Sequence, residues 1–196
     1  TAQSWYDTVF TTYATICNEK YPKQYIANYL SSHDDGDPFD KKRTKGFESA
    51  NKLLLSPGIA QIYYGDESNR DINVPADGDA TLRSFMNWDQ MQSDATTKEV
   101  FSHWQKLGKF RRKHDAVTKG SIRVISSIPY LDVRSTTNST VFIALDQNIG
   151  QKSLNVGDWI SDHTELIDEY SGQKVKVKGG IVSLNSPFST VLLSKL

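Results

Sequence analysis

The sequence predicts an α/β part followed by an all-β part, and two observations carry this prediction. Helical patterns alternate with short apolar runs up to about residue 115. From residue 120 onward helical periodicity stops, and short runs rich in β-branched residues take over. The chain has 196 residues, which is too short for a complete (β/α)8 barrel of about 250 residues.

The first part alternates helices with buried strands. Pro22 ends a first helix, because proline cannot continue a helix without losing a hydrogen bond. The apolar face of that helix is predicted to consist of Trp5, Val9, Thr12, Tyr13 and Ile16. Further predicted elements are a strand over 25–30, a helix over 47–54, a strand over 59–64, a long polar loop over 68–96 and a helix that begins near residue 100 and ends near the basic residues 109–113. This order is typical of a parallel α/β unit.

The second part is predicted to be a small antiparallel sandwich of short strands. Lysines alternate with valines over 174–178, and the pattern resumes over 181–184 after Gly179 and Gly180, which predicts a hairpin with the lysines in water. Further strands are predicted near 122–125, 141–145 and 190–193.

Composition excludes several classes of function. The 23 basic residues balance the 23 acidic ones, which argues against general electrostatic binding to nucleic acid or to an anionic membrane. No apolar run approaches the ~20 residues of a membrane span, and residues 1–10 show no signal-peptide pattern. Cys17 is the only cysteine, so an internal disulfide is excluded, and we expect it to be a small buried hydrophobe.

The densest polar cluster runs from His33 to Asp37, after the first predicted strand. In barrel and open α/β folds, ligands bind at the carboxyl ends of strands. Three interpretations stay open: a surface turn with a helix cap, a carboxylate–imidazole pair that grips sugar hydroxyls, and a metal site. The metal site would use Asp34, Asp35, Asp37 and Asp40, which lack EF-hand spacing.

Three ordered motifs resemble the α-amylase family of glycoside hydrolases. Residues 29–34 (YLSSHD) resemble the strand-7 motif, although Ser32 stands where most members have asparagine. Residues 50–67 (ANKLLLSPGIAQIYYGDE) resemble the strand-8 segment, and 82–89 (LRSFMNWD) resemble the stretch that follows it. Three motifs in this order are far more specific than one His-Asp pair.

The resemblance implies a fold and a reaction. Residues 1–115 would be the last two βα units of a (β/α)8 TIM barrel, and residues 116–196 the β-sandwich called domain C. The family cleaves α-1,4-glucosidic bonds of starch or maltodextrin with retention, using a nucleophile and an acid/base after strands 4 and 5. The resemblance places both upstream of the matched segment, so we expect the chain alone to be inactive. Asp34 would be the third carboxylate, a transition-state stabiliser, and His33 would bind the same sugar.

Other residues have competing interpretations. Arg83 and Trp88 could line the substrate cleft or pack the long loop, and Glu67 is expected to be a buried structural acid. Trp159 could bind sugar on the sandwich, although packing is the simpler expectation.

We expect no metal and no cofactor in this chain. Calcium in the full-length enzyme stays open, and the residues that could hold it here are Asp71, Asn73, Asp77 and Asp79.

Other functions remain open. The chain could be a non-catalytic carbohydrate-binding or accessory module, or part of a transglycosylase, a cyclomaltodextrinase or an α-1,6-cleaving enzyme. The expected partner is an α-glucan, with no nucleic acid and no membrane. Two strands taken from a barrel leave open edges, so self-association is expected. The substrate suggests a secreted or periplasmic location.

Overall fold

The structure is a computed structural model that describes residues 2–22 and 26–196. Contacts divide the chain into two compact units. We call residues 1–24 and 110–196 the sheet unit, and residues 25–109 the helical unit. The sheet unit therefore includes the N-terminal helix, and the domain division at residues 115 and 116 stays a prediction.

The helices and strands follow the predicted order, with α/β elements first and strands later, except that a short helix, Trp88–Ser93, lies within the stretch predicted to be a loop. The helices are α1 (Ala2–Thr15), α2 (Gly46–Leu54), α3 (Trp88–Ser93), α4 (Ala95–Lys113) and α5 (Ala116–Lys119). The strands are β1 (Ala27–Asn28), β2 (Ile59–Ala60), β3 (Ser121–Ser127), β4 (Tyr130–Ser135), β5 (Thr140–Leu145), β6 (Gly150–Asn155), β7 (Glu165–Asp168), β8 (Lys174–Lys176), β9 (Ile181–Ser186) and β10 (Val191–Lys195).

Helix α1 buries a different face from the one predicted. Its buried side chains are Tyr6, Phe10 and Ala14, one residue out of step with the predicted stripe. One residue is about 100° of helix rotation. The cause is tertiary, because the rings of Tyr6 and Phe10 lie 5.5 and 6.0 Å from the ring of Tyr130 on β4. Cys17 follows α1 in a π-helical turn and is half-buried, so the prediction of a buried cysteine was wrong.

Strands β1 and β2 are the two strands of the helical unit's parallel α/β arrangement. They pair in parallel, Ala27 with Ile59, and α2 connects them, as the sequence pattern predicts. Each strand is only two residues long, and Tyr29 and Ile62 are about half exposed, so the longer buried strands predicted here were wrong. Tyr25, the first residue of the predicted strand, lies outside the described residues.

Helix α2 packs against α4 through a close contact at Gly46. The indole of Trp104 donates a hydrogen bond to the Gly46 carbonyl at 3.1 Å. A Cβ atom at Gly46 would lie 2.8 Å from Val100, so only glycine fits this approach. Trp104 is 3% exposed, which confirms its predicted packing role.

The sheet unit holds two antiparallel sheets around one hydrophobic core. One sheet has the strand order β3-β4-β5-β10-β7-β8, and the other pairs β6 with β9. The core draws on both sheets and includes Phe142, Leu154, Leu166, Leu184 and Leu193. The C-terminal part is thus rich in antiparallel sheet, as expected.

The turn predicted at Gly179 and Gly180 forms, but the strands that flank it do not pair as a hairpin beyond the turn. Strand β8 pairs with β7, whereas β9 pairs with β6 in the other sheet. The chain crosses between sheets here, with only one bridge between Lys178 and Ile181. Both strands still alternate in burial, because each lies over the shared core: Val182 and Leu184 on β9 are buried, and Val175 on β8 is half-buried between exposed lysines. No helix in the described part of the chain is long and apolar enough to cross a membrane.

Candidate functional site

His33 and Asp34 lie in the turn that follows β1, at the carboxyl end of a parallel strand. The hydroxyl of Ser32 donates a hydrogen bond to Asp34 Oδ1 at 2.7 Å. On the other side, His33 Nε2 lies 3.8 Å from Asp34 Oδ2, and both side chains are more than 60% exposed. The pair therefore offers a carboxylate and an imidazole to solvent within one turn.

The surroundings of Asp34 favour its charged form. The Ser32 hydroxyl is the main cause of a lowered pKa, and the charges of His33 and Arg83 lower the pKa further. Hydrogen bonds and positive charges both stabilise a carboxylate against its acid. Asp34 is thus an ionised acceptor at neutral pH, and the hydroxyl of Ser32 contributes to this.

Arg83 joins this pair across 50 residues of sequence. Its Nε donates a hydrogen bond to the main-chain carbonyl of His33 at 3.1 Å. The contact fixes the backbone of the turn and brings a guanidinium group close to it. Of the residues predicted to form the site, the structure thus brings His33, Asp34 and Arg83 together.

A buried network holds the base of the turn. Ser31, 1% exposed, donates a hydrogen bond to Asp66 Oδ1 at 2.5 Å. Arg43 Nη1 lies 2.8 Å from the same oxygen, and both charged side chains are at least nine-tenths buried. Asp66 follows β2, so the network ties the ends of the two parallel strands together.

The prediction that Glu67 is a buried structural acid was wrong. Glu67 was expected to be the buried acid, but its side chain is only half-buried and its Oε2 accepts a hydrogen bond from the Gly65 amide at 3.0 Å. The buried acid is its neighbour Asp66. Nothing in the local pattern distinguishes the two acids, because the difference depends on Ser31 and Arg43.

Arg70 organises the loop that carries Arg83. Its guanidinium lies 3.8 Å from the centre of the Tyr64 ring, and Nε donates to the Tyr64 carbonyl at 2.9 Å. Its Nη1 donates to the Ser84 hydroxyl at 2.5 Å. A Cβ at Gly65, which has a φ of +88°, would lie 2.4 Å from Arg70, so glycine is required there. Sequence reasoning missed Arg70 because a buried arginine has no local signature.

Trp88 lies elsewhere in the helical unit. It is 64% exposed and lines a cleft of about 450 Å³, together with Phe85, which is 97% exposed. The lining includes neither His33 nor Asp34. A contact of Trp88 with substrate therefore stays a prediction.

The acidic residues around the turn have structural partners. Asp40 accepts hydrogen bonds from the amides of Thr44 and Lys45 at 2.9 and 2.8 Å, just before α2. Asp35 accepts one from the Asp37 amide at 3.2 Å. The turn-and-cap interpretation thus describes these acids. Among residues 2–22 and 26–196, no three His, Cys, Asp or Glu side chains are grouped closely enough to hold a metal.

The site offers hydrogen bonds to hydroxyl groups. Ionised Asp34 accepts them, the imidazole of His33 accepts or donates one, and Arg83 donates. Adjacent hydroxyls of a sugar match such a set. Cleavage of a glycosidic bond would need further carboxyl groups, one as nucleophile and one as acid/base.

Known proteins resemble the chain in sequence and in fold. No family model matches it. The periplasmic alpha-amylase of Escherichia coli (strain K12) is 38% identical over 104 residues, which are 52% of this chain but only 14% of that protein. The chain thus matches a small share of that relative's length.

Solved structures extend the likeness to nearly the whole chain. An Anoxybacillus alpha-amylase superposes with a TM-score of 0.67 and 19% identity, covering 99% of this chain and 45% of that one. The alpha-amylase of Geobacillus thermoleovorans complexed with acarbose superposes with a TM-score of 0.63 and 17% identity. The superposition covers 87% of this chain and 38% of that one. The resemblance of this chain to the C-terminal part of an α-amylase family glycoside hydrolase is therefore confirmed.

Proposed function

We propose that this chain is the C-terminal part of a retaining hydrolase that cleaves α-1,4-glucosidic bonds in starch or maltodextrin. The observation that carries the proposal is Asp34, an exposed carboxylate fixed by Ser32 beside His33 at the end of a parallel strand. It stands at the position that matches the family's third carboxylate.

Asp34 and His33 would act on the sugar at the site of cleavage. Asp34 would accept hydrogen bonds from two hydroxyls of that sugar, and His33 would donate to it. Such contacts accelerate the reaction only if they strengthen as the ring distorts toward the oxocarbenium-like transition state. The lowered pKa of Asp34 keeps it charged for this role. Arg83 would position His33 through its backbone.

The nucleophile and the acid/base would come from strands that precede the matched segment. A retaining mechanism needs those two carboxyls about 5 Å apart. We therefore propose that the 196 residues alone do not hydrolyse glucans. The half-exposed apolar side chains Tyr29, Ile59 and Ile62 beside β1 and β2 would be covered by further barrel strands, or by self-association.

The partner proposed is an α-glucan, with no nucleic acid or membrane partner. A secreted or periplasmic location is supported by the periplasmic relative. Calcium in the full-length enzyme stays a prediction for the loop of Asp71, Asn73, Asp77 and Asp79.

The test is Asp34→Asn in the longer protein that contains the upstream barrel. Removing an electrostatic stabiliser of the transition state should lower kcat at least ~100-fold, with a smaller change in KM. Asp37→Asn is the matched control, because it makes the same isosteric change in an exposed side chain of the same turn. An Asp34→Asn enzyme with unchanged kcat would overturn the proposal. Product analysis on maltoheptaose separates hydrolysis from transglycosylation.

A further inference from the structure

A second cleft lies in the sheet unit. Its volume is about 640 Å³, and it lies between the loop after β6 and the loop that joins β8 to β9. The side chains that line it include Asn155, Asp158, Trp159, Asp162 and Lys195. None of these residues belongs to the site around Asp34.

The two loops are locked together by main-chain contacts. The amides of Val156 and Gly157 both donate to the Gly180 carbonyl at 2.9 Å. A Cβ at Gly180 would lie 3.3 Å from Gly157 Cα, and the φ of Gly180 is +73°, so glycine is needed for this approach. The Gly179 amide donates to Asp162 Oδ1 at 2.8 Å, which fixes the carboxylate. The cleft is thus formed before any ligand arrives, which lowers the entropic cost of binding.

An exposed aromatic ring stands in this cleft. Trp159 is 43% exposed, and the guanidinium of Arg123 lies 5.2 Å from the centre of its ring. This cation–π contact helps to fix the orientation of the ring. An exposed, oriented indole beside glycine backbone offers a flat apolar surface next to hydrogen-bonding groups.

The chemistry of the lining selects a class of ligand. Asp158 and Asp162 accept hydrogen bonds, Lys195 donates them, and Asn155 does both. Asp158 and Asp162 balance Lys195 and Arg123, so the cleft has no excess positive charge to attract phosphate or other anions. The polar rim disfavours a purely apolar ligand. A pyranose fits, because its C–H face is apolar and its edges carry hydroxyls.

We propose that this cleft binds glucose units of an α-glucan, at a site separate from Asp34. The pyranose class follows from the cleft itself, whereas the assignment to an α-glucan rests on the proposed function. A second site of this kind would hold a polysaccharide chain without taking part in bond cleavage.

The chain contains four tryptophans, so each indole N–H gives its own NMR signal. Maltoheptaose is titrated into the 196-residue chain to roughly ten times a millimolar Kd. The Trp159 signal should shift and saturate, whereas that of Trp104, which is buried against Gly46, should not move. An unchanged Trp159 signal would overturn the proposal. The Trp88 signal reports independently on the helical unit, so a shift there without one at Trp159 would also overturn it while leaving the proposed function intact.

Variants separate binding from folding. Trp159→Ala should weaken maltoheptaose binding by about tenfold or more, because truncating an anchoring aromatic removes most of its contact. Ile149→Ala is the matched control: it removes an exposed apolar side chain, 72% exposed, from the same unit but outside the cleft. Lys195→Ala changes the rim without touching the ring and should weaken binding less. Equal affinity of Trp159→Ala and the parent chain, or an equal response to cellohexaose, would contradict the assignment.

Discussion

His103 makes the stability of the helical unit depend on pH. Its ring is 1% exposed, lies 4.6 Å from the ring of Phe47, and has Nε2 3.1 Å from the side-chain oxygen of Asn51. Burial disfavours the charged imidazolium and lowers the pKa of His103 from 6.5 to about 4. In the unfolded chain, the same histidine titrates near ~6.5.

The direction and the size of this pH dependence follow from the linkage between proton binding and folding. Between pH 6.5 and pH 4, the unfolded chain binds a proton that the folded chain does not, so stability is fully present above pH 6.5 and falls as the pH falls. Each unit of difference in pKa corresponds to about 1.4 kcal/mol, so the whole interval costs about 3 kcal/mol of unfolding free energy. Carboxyl groups ordinarily titrate below pH ~5. Burial raises the pKa of Asp132 in the sheet unit, so the contribution of His103 is isolated by comparing His103→Gln with the parent chain, in which Asp132 is the same.

Urea unfolding between pH 5 and pH 7 measures this slope. His103→Gln should flatten it by up to about 1.4 kcal/mol per pH unit, because one linked proton is removed. His163→Gln is the matched control, since the side chain of His163 is 75% exposed. An NMR titration of the His103 ring that gives a pKa above 6, or a slope that His103→Gln leaves unchanged, would refute the reasoning.

Three further perturbations test the contacts described above. Ser32→Ala should raise the pKa of Asp34, because the hydroxyl is the main cause of its lowering, and an NMR titration of the Asp34 carboxyl checks this. Arg43→Met should destabilise the helical unit by about 3–5 kcal/mol in urea unfolding, because it leaves the buried Asp66 carboxylate without its ionic partner; a loss below 1 kcal/mol would contradict a buried pair. Phe142→Ala should cost about 3–5 kcal/mol of unfolding free energy, because it opens a cavity in the sheet core.

Sequence periodicity and apolar runs predict those helices and strands whose formation depends on residues close together in the chain. Helix α2 and helix α4 have apolar residues at helical spacing, and both form. The parallel pairing of β1 with β2 follows from the helix between them, and β5 and β10 follow from their apolar runs. Asp34 and His33 stand out in the sequence because they lie in a motif of fixed order, and their role as site residues stays a prediction.

Patterns failed where tertiary contacts decide the outcome. The buried face of α1 depends on Tyr130, far along the chain. The periodicity of the helix alone therefore predicts the wrong set of buried residues. The alternation of lysine and valine over 174–178 predicts a hairpin with 181–184, but it fits a strand in either sheet. Only the pairing of β8 with β7 and of β9 with β6 shows that the chain crosses from one sheet to the other at this turn. Asp66 and Arg70 are buried charges whose roles exist only through contacts distant in sequence.

The most direct test of the proposed function compares the 196-residue chain with the longer protein that carries the upstream barrel strands. Both are incubated with maltoheptaose, and the anomeric protons of the products are followed by NMR. We predict no turnover by the chain alone, and release of products in the α configuration by the longer protein, as retention requires. Turnover by the pure 196-residue chain, or products of the β configuration from the longer protein, would contradict the account.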